Sequence, residues 1–217
     1  MKKTIFYLIA LTTSFTIQAQ NYVNQVLILN EGYFDYTNNE IIEPASIGSY
    51  NPVSEVYTEV LELEGMRFGS DLIIDNDVYY VAADTKIFKI NLNTHEIISS
   101  VNCQGVRNLA VVGDKLFATR GEYLVDFDSY LHIYSANDLS LELALDNESG
   151  PKWATQNIIS IGEKVYFAIN NAYEFGNEKG IIGVYNSENL VYEEVDLGPE
   201  AKNPDNLVKS GEFIYTV

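Results

Sequence analysis

Residues 157–168 read NIISIGEKVYFA, and close copies of this segment recur along the chain. The copies are NLAVVGDKLFAT at 108–119, NLVKSGEFIYTV at 206–217 and the looser SDLIIDNDVYYVA at 70–82. Each copy has an apolar run, a short polar turn containing Gly or Asn, and a second run rich in Val, Ile, Tyr and Phe. Glycine and asparagine accept the positive φ of a tight turn, and the flanking residue types favour strands. Each copy is therefore predicted to be a β-hairpin.

The hairpins recur with a period typical of a propeller. The residues that open their second strands, Val78, Leu116, Val165 and Ile214, lie 38, 49 and 49 residues apart. A period in this range, with several short strands per unit, indicates propeller blades. We therefore expect an all-β protein, a β-propeller of four-stranded antiparallel blades. The predicted blades span about 24–63, 70–101, 108–145 and 157–197, with the start of a fifth at 206–217.

The first unit and the last unit both differ from this pattern. The first begins near Val26 with what would be the second strand of a blade, and the fifth ends at Val217 after its second strand. A ring of seven blades would need roughly 320 residues at this spacing. We expect a seven-bladed propeller when complete, of which this chain is an N-terminal part of about four blades.

The start of the chain has the features of a signal peptide. Residues 1–19, MKKTIFYLIALTTSFTIQA, contain two lysines, an apolar run from Ile5 to Leu11, and small or polar residues up to Ala19. That run is much shorter than the roughly 20 apolar residues of a membrane helix. We predict export to the periplasm, the cell surface or the extracellular space, with residues 20–217 forming the propeller domain and no membrane insertion after cleavage.

Composition restricts the partners. The chain has 31 acidic and 13 basic residues and a formal net charge of −18, which argues against nucleic acid and anionic membranes. Cys103 is the single cysteine, so no internal disulfide is expected. Neither Asp126 with Asp128 nor the pair His95 and His132 matches a metal-binding motif. We predict no metal and no cofactor.

Two segments resemble a known family. The chain has VLILNEGYF at 26–34, ASIGSYNP at 45–52 and the repeated hairpins. This combination resembles the exported YncE-like β-propeller proteins of the Bacteroidetes, and Asn30-Glu31-Gly32 is its most specific part. The resemblance implies a binding protein, and distant relatives include surface lipoproteins that capture cobalamin for an outer-membrane transporter. The resemblance therefore implies an outer-membrane complex as a partner, although Gln20 and not a cysteine stands directly after Ala19, and no ligand residue is carried over.

The candidate site comes from propeller topology. Loops after the second strands and connections between blades emerge on one face of a ring, and here they vary most in length, as at 119–129, 146–156 and 169–179. Trp153 follows Gly150-Pro151 and is expected at this surface. Aromatic and arginine side chains carry much of the energy of recognition, and the arginines would suit an acidic or phosphate-bearing ligand. The predicted ligand-binding residues are Arg120, Tyr123, Trp153, Tyr173, Phe175, Tyr33, Arg67 and Arg107.

Three functions remain open from the sequence. The first is a non-catalytic exported protein that binds a small molecule or polypeptide on this face, with cobalamin and oligosaccharides as first candidates. The second is a propeller enzyme of the lactonase, lyase or glycosidase type with its site near the central channel. The third is a scaffold module of a surface complex. No catalytic motif favours the enzyme, and several His, Asp or Glu side chains directed into the channel would support it.

Overall fold

Nineteen β-strands form the secondary structure of residues 23–217, the part of the chain that the computed structural model describes. Those residues contain no helix long and apolar enough to cross a membrane. The predicted signal peptide at 1–19 lies outside the described residues.

The strands form successive antiparallel sheets in chain order. The first sheet and an accompanying hairpin contain β1 (Val26–Asn30), β2 (Tyr33–Asp35), β3 (Glu40–Glu43), β4 (Ser46–Asn51) and β5 (Val56–Glu62). Blade 2 contains β6 (Gly69–Asp75), β7 (Val78–Ala83), β8 (Lys86–Asn91) and β9 (Ile97–Asn102). Blade 3 contains β10 (Val106–Val112), β11 (Lys115–Arg120), β12 (Ser129–Ser135) and β13 (Leu141–Asp146). Blade 4 contains β14 (Ala154–Ile161), β15 (Lys164–Asn170), β16 (Ile181–Asn186) and β17 (Val191–Asp196), and it is followed by β18 (Leu207–Ser210) and β19 (Phe213–Thr216).

The repeated hairpins are confirmed as β6–β7, β10–β11, β14–β15 and β18–β19. In β14–β15 the last register pair is Ile161 with Lys164, so the turn holds two residues, and its Gly162 has a φ of 59°. Asn76 adopts a φ of 51° in the looser copy. These positive φ values explain why Gly or Asn recurs at the turn, because other side chains are strained there.

Each four-stranded sheet has strand order 1-2-3-4, and neighbouring sheets pack face to face. Successive side chains of a strand point to opposite faces, so in β11 Leu116 and Ala118 pack towards blade 2 and Phe117 packs towards blade 4. One apolar cluster lies between blades 2 and 3, and another lies between blades 3 and 4. A third joins blade 2 to the first sheet. This stack of four-stranded antiparallel sheets has the architecture of a β-propeller.

An Asp or Asn near the start of the repeated hairpin ties one blade to the next. A carboxylate oxygen of Asp71 accepts a hydrogen bond of 2.8 Å from the backbone N–H of Leu109, and the Asn157 amide oxygen accepts one of 3.0 Å from that of Leu207. The register of both inner strands shifts at these positions. A bulge leaves backbone groups unpaired within its own sheet and re-aims side chains, which frees Asp71 and Asn157 to bond the adjacent inner strand.

The first sheet has three strands, in the order β1-β4-β5. Strand β1 pairs with β4 and contacts β6, the inner strand of blade 2. Strand β7, the second strand of blade 2, has the matching surroundings, because it pairs with β8 and contacts β10, the inner strand of blade 3. Strand β1 therefore occupies the place of a second strand, as the sequence predicts, and no innermost strand pairs with it among residues 23–217.

Candidate functional site

Loops after second strands meet the connections between blades at one end of the stack. In blade 3 the N–H of Gly121 donates to the Gly105 carbonyl oxygen at 2.8 Å, and in blade 2 the N–H of Cys103 donates to the Thr85 carbonyl oxygen at 2.7 Å. In blade 4 the N–H of Asn171 donates to the side chain of Asn203 at 3.0 Å. The structure thus has the common loop face that topology predicts.

A cleft of about 360 Å³ opens on this face between blades 3 and 4. One wall is the loop GEYLVDFD at 121–128, and the other combines Trp153 with the loop NAYEFGNEKG at 171–180. The volume lies in the range of small-ligand sites. We call it the blade 3–4 cleft, and its polar and aromatic lining includes Glu122, Asp126, Trp153, Asn170, Tyr173 and Glu174.

Trp153 is held in a fixed orientation at the cleft. Its indole Nε1–H donates to Oε1 of Glu174 at 3.0 Å, and its ring packs against the apolar cluster between blades 3 and 4. The ammonium group of Lys179 lies 5.5 Å from the ring centroid. Trp153 immediately precedes β14 and is partly exposed, so its placement agrees with the expectation from Gly150-Pro151.

Two predicted aromatic residues from blades 3 and 4 are in contact. The rings of Tyr123 in blade 3 and Tyr173 in blade 4 are 5.3 Å apart in an edge-to-face arrangement, and both side chains are more than half exposed. Phe175 lies in the same loop as Tyr173 and is 83% exposed, and neither Tyr123 nor Phe175 belongs to the cleft lining. The structure therefore places Trp153 and Tyr173 in the cleft, with Tyr123 in contact with Tyr173 and Phe175 nearby in sequence.

Arg120 is directed into the protein, contrary to the expectation of a ligand contact. The residue is 8% exposed, and its guanidinium donates to the carbonyl oxygens of Gln104 at 3.0 Å and Ser129 at 2.5 Å. It also lies 4.3 Å from the ring centroid of Phe127. A guanidinium has donors and no acceptor, and here it joins the blade connection to the third strand of blade 3.

Arg120 also fixes the protonation of His132. Its Nη1 lies 2.8 Å from Nε2 of His132, which must accept, so the ring proton resides on Nδ1, 3.0 Å from the Tyr134 hydroxyl. Burial, together with the positive charge of Arg120, lowers the pKa of His132 to about 4. The histidine is therefore neutral near pH 7 and belongs to this buried network, outside the cleft lining.

The other predicted arginines are also engaged in internal contacts. Nε of Arg107 donates to the Gly121 carbonyl oxygen at 2.9 Å, and its Nη1 donates to Oε1 of Gln156 at 3.0 Å. Arg67 forms an ion pair of 2.9 Å with Asp84. Neither arginine lines the blade 3–4 cleft.

Arg67 belongs to a second aromatic cluster, formed by the first sheet, its hairpin and blade 2. Its guanidinium carbon lies 5.2 Å from the Phe34 ring centroid and 5.1 Å from that of Phe68. Tyr36 stacks on Phe68, and Tyr33 is exposed on β2. The predicted residues Tyr33 and Arg67 therefore lie apart from the cleft.

Sequence reasoning missed the acidic character of the cleft. Three carboxylate residues line it, Glu122, Asp126 and Glu174, and no Lys, Arg or His does. The available signal was their position beside the loop aromatics, in GEYLVDFD and AYEFG. The expectation of arginines that suit an acidic or phosphate-bearing ligand is therefore not met in this cleft.

The inner strands enclose a different kind of space. A cavity of about 570 Å³ lies between β6, β10 and β14, lined by apolar side chains such as Ile73, Leu109 and Ile158. Asp75 is the one titratable residue in its lining. In residues 23–217, no three His, Cys, Asp or Glu side chains lie close enough together to hold a metal ion.

Comparison with known proteins bears on the fold. No protein-family model matches the sequence, and no curated protein matches it. Among solved structures, BamB from Moraxella catarrhalis, a β-propeller, is similar with 13% sequence identity and a TM-score of 0.54. The alignment covers 78% of this chain and 48% of that one, so the chain matches about half the length of BamB. Such low identity supports the fold alone, and residues 23–217 form blades of an all-β propeller.

Proposed function

We propose that the protein is a non-catalytic binding propeller whose ligand, a small molecule or a segment of a polypeptide, occupies the blade 3–4 cleft. The observation that carries this proposal is a cleft between two blades that is lined by Trp153 and Tyr173, with Tyr123 of the facing loop in edge-to-face contact with Tyr173. Loops on a rigid scaffold commonly carry function, and concave sites with aromatic walls and a few polar groups are typical ligand sites.

The geometry of Trp153 favours binding over mere packing. Its hydrogen bond to Glu174 and its contact with the apolar cluster hold the indole in place before any ligand arrives. A side chain that is already ordered loses little entropy on binding, and a partly exposed aromatic ring offers a large contact area. Such a residue is a suitable anchor for a ligand.

The proposal includes export and kinship with the YncE-like propellers of the Bacteroidetes. It is supported by the sequence of residues 1–19 and by Asn30-Glu31-Gly32. The structure gives the glycine of this motif a physical reason. The N–H of Gly32 donates to the Arg67 carbonyl oxygen at 3.0 Å, and a Cβ there would clash with the Glu43 carbonyl oxygen. The motif thus holds the β2–β3 hairpin close to the backbone of the blade connection.

We predict that Trp153→Ala lowers affinity for a bound ligand at least tenfold. A central aromatic anchor is typically worth about 2 kcal/mol or more when truncated. Because Trp153 is the single tryptophan, its fluorescence reports on the cleft during a screen of cobalamin, neutral oligosaccharides, amines and peptides. Calorimetry then measures the affinity of each ligand for the parent and the variant.

The matched control is Tyr36→Ala, which removes an exposed aromatic ring from the second cluster. The Tyr36→Ala variant is expected to bind each ligand with the same affinity as the parent protein. A ligand whose affinity falls in Tyr36→Ala and is unchanged in Trp153→Ala would move the site to the β2–β3 hairpin and contradict the proposal.

A further inference from the structure

We infer that the ligand of the blade 3–4 cleft presents an alkylammonium group, either as a free amine or as a lysine side chain. This inference rests on the proposed binding function and specifies the chemistry of the same site. It reverses the sequence-based expectation of an acidic or phosphate-bearing ligand.

The first support is the charge of the lining. Glu122 and Asp126 come from the blade 3 wall, Glu174 comes from the blade 4 wall, and the lining has no basic side chain. Carboxylates on both walls of a concave site focus a negative potential there, and the chain as a whole carries a formal net charge of −18. A cation is attracted into such a cleft and an anion is repelled.

The second support is the combination of these carboxylates with aromatic rings. An ammonium ion is attracted to the face of an aromatic ring and most strongly to that of tryptophan, and aromatic sites recognise choline-like groups in this way. The chain itself provides an example at this position, because the Lys179 ammonium group lies 5.5 Å from the Trp153 ring centroid. The indole environment therefore already accommodates a group of the proposed kind.

The third support is the placement of the two neighbouring arginines. The guanidinium of Arg120 bonds backbone carbonyl oxygens of Gln104 and Ser129, and that of Arg107 bonds Gly121 and Gln156. Neither lines the cleft, and the Lys179 ammonium group, 5.5 Å from the Trp153 ring centroid, lies beside the lining without belonging to it. An anionic ligand would enter the cleft without a cationic partner in its lining.

The test compares probes that differ in charge and match in shape. Calorimetry is carried out on the exported chain with choline and its neutral carbon isostere dimethylbutanol, and with acetyl-Gly-Lys-Gly-amide and its Nε-acetylated form. Inorganic phosphate is the anionic probe.

We expect at least one cationic probe to bind about tenfold or more tightly than its neutral counterpart. Its binding should weaken as the salt concentration is raised, and it should quench or shift Trp153 fluorescence. Phosphate is expected not to bind. Binding of choline alone identifies a small molecule with a free ammonium group as the source, and binding of the peptide alone identifies a lysine side chain.

Two variants test the carboxylates directly. Glu122→Gln and Asp126→Asn keep side-chain size, remove one charge each, and are expected to weaken the cationic probe about three- to tenfold. Glu193→Gln removes an exposed carboxylate from β17, the outer strand of blade 4, and is expected to leave the affinity unchanged. Thermal melting of all three variants checks that they remain folded.

Two kinds of result overturn the inference. One is equal affinity for a cationic probe and its neutral isostere, and the other is the absence of binding by every cationic probe. A neutral oligosaccharide that binds in a Trp153-dependent manner would then leave the proposed function standing while the charge assignment fails. If no ligand of any charge changes Trp153 fluorescence, the proposed function fails with it.

Discussion

Arg120→Met is expected to lower the free energy of unfolding by about 2–4 kcal/mol. The substitution keeps much of the side-chain volume and removes the guanidinium, so the carbonyl oxygens of Gln104 and Ser129 lose its hydrogen bonds. The carbonyl oxygen of the buried Ser129 loses this partner at a cost of about 1–3 kcal/mol, and the contact with the Phe127 ring is lost as well. Urea denaturation followed by circular dichroism measures the change.

The control for this prediction is Lys152→Met, which removes an exposed positive charge from the connection before blade 4. Its free energy of unfolding is expected to stay within about 0.5 kcal/mol of that of the parent. If Arg120→Met proved as stable as Lys152→Met, the guanidinium would not be held by the blade. Its assignment as a ligand contact, made from the sequence, would then regain support.

Phe167→Ala is expected to lower the free energy of unfolding by about 3–5 kcal/mol, the usual cost of emptying a large buried aromatic site. Phe167 is fully buried between blades 3 and 4, stacks on Tyr192 and covers Gly183, where a Cβ would clash with its ring. The same cluster supports Trp153, so the variant should also shift the emission of that residue. Denaturation monitored by circular dichroism gives the stability, and fluorescence of the folded state gives the second readout.

Phe213→Ala provides the comparison, because Phe213 is 68% exposed on β19. We expect a loss of stability below about 1 kcal/mol and an unchanged Trp153 emission maximum. A similar loss of unfolding free energy in Phe167→Ala and Phe213→Ala would contradict the close packing of blades 3 and 4 around Phe167.

The hairpins could be predicted because their signal is local. Gly162 and Asn76 have the positive φ that a two-residue turn demands, and the adjoining runs carry strand-forming residues. The position of β1 as a second strand followed from comparing repeats. A further repeat was overlooked, since IGSYN at 47–51 and IGVYN at 182–186 both form third strands whose glycine lies under an aromatic ring.

The candidate site could be predicted only in part. Trp153 and Tyr173 line the cleft and Tyr123 contacts Tyr173, in keeping with the expectation that long loops on one propeller face carry large side chains close together. Arg120 was misplaced because its partners, the carbonyl oxygens of Gln104 and Ser129, are backbone atoms whose positions depend on blade packing. No sequence pattern records the direction in which a strand-end arginine turns. Glu122 was overlooked, and Asp126 was weighed only as a metal ligand, because acidic residues are common throughout this chain.

The carboxylates that line the cleft, and not the Lys179 ammonium group beside the indole, are expected to set the electrostatic potential at Trp153. Collisional quenching of the single tryptophan by caesium and by iodide, each normalised to quenching of N-acetyltryptophanamide, measures this directly. We predict that caesium quenches Trp153 more effectively than iodide after normalisation, and that the difference shrinks in the Glu122→Gln, Asp126→Asn double variant, because the carboxylates concentrate cations at the indole. Normalised quenching by iodide that equals or exceeds that by caesium would contradict the claim.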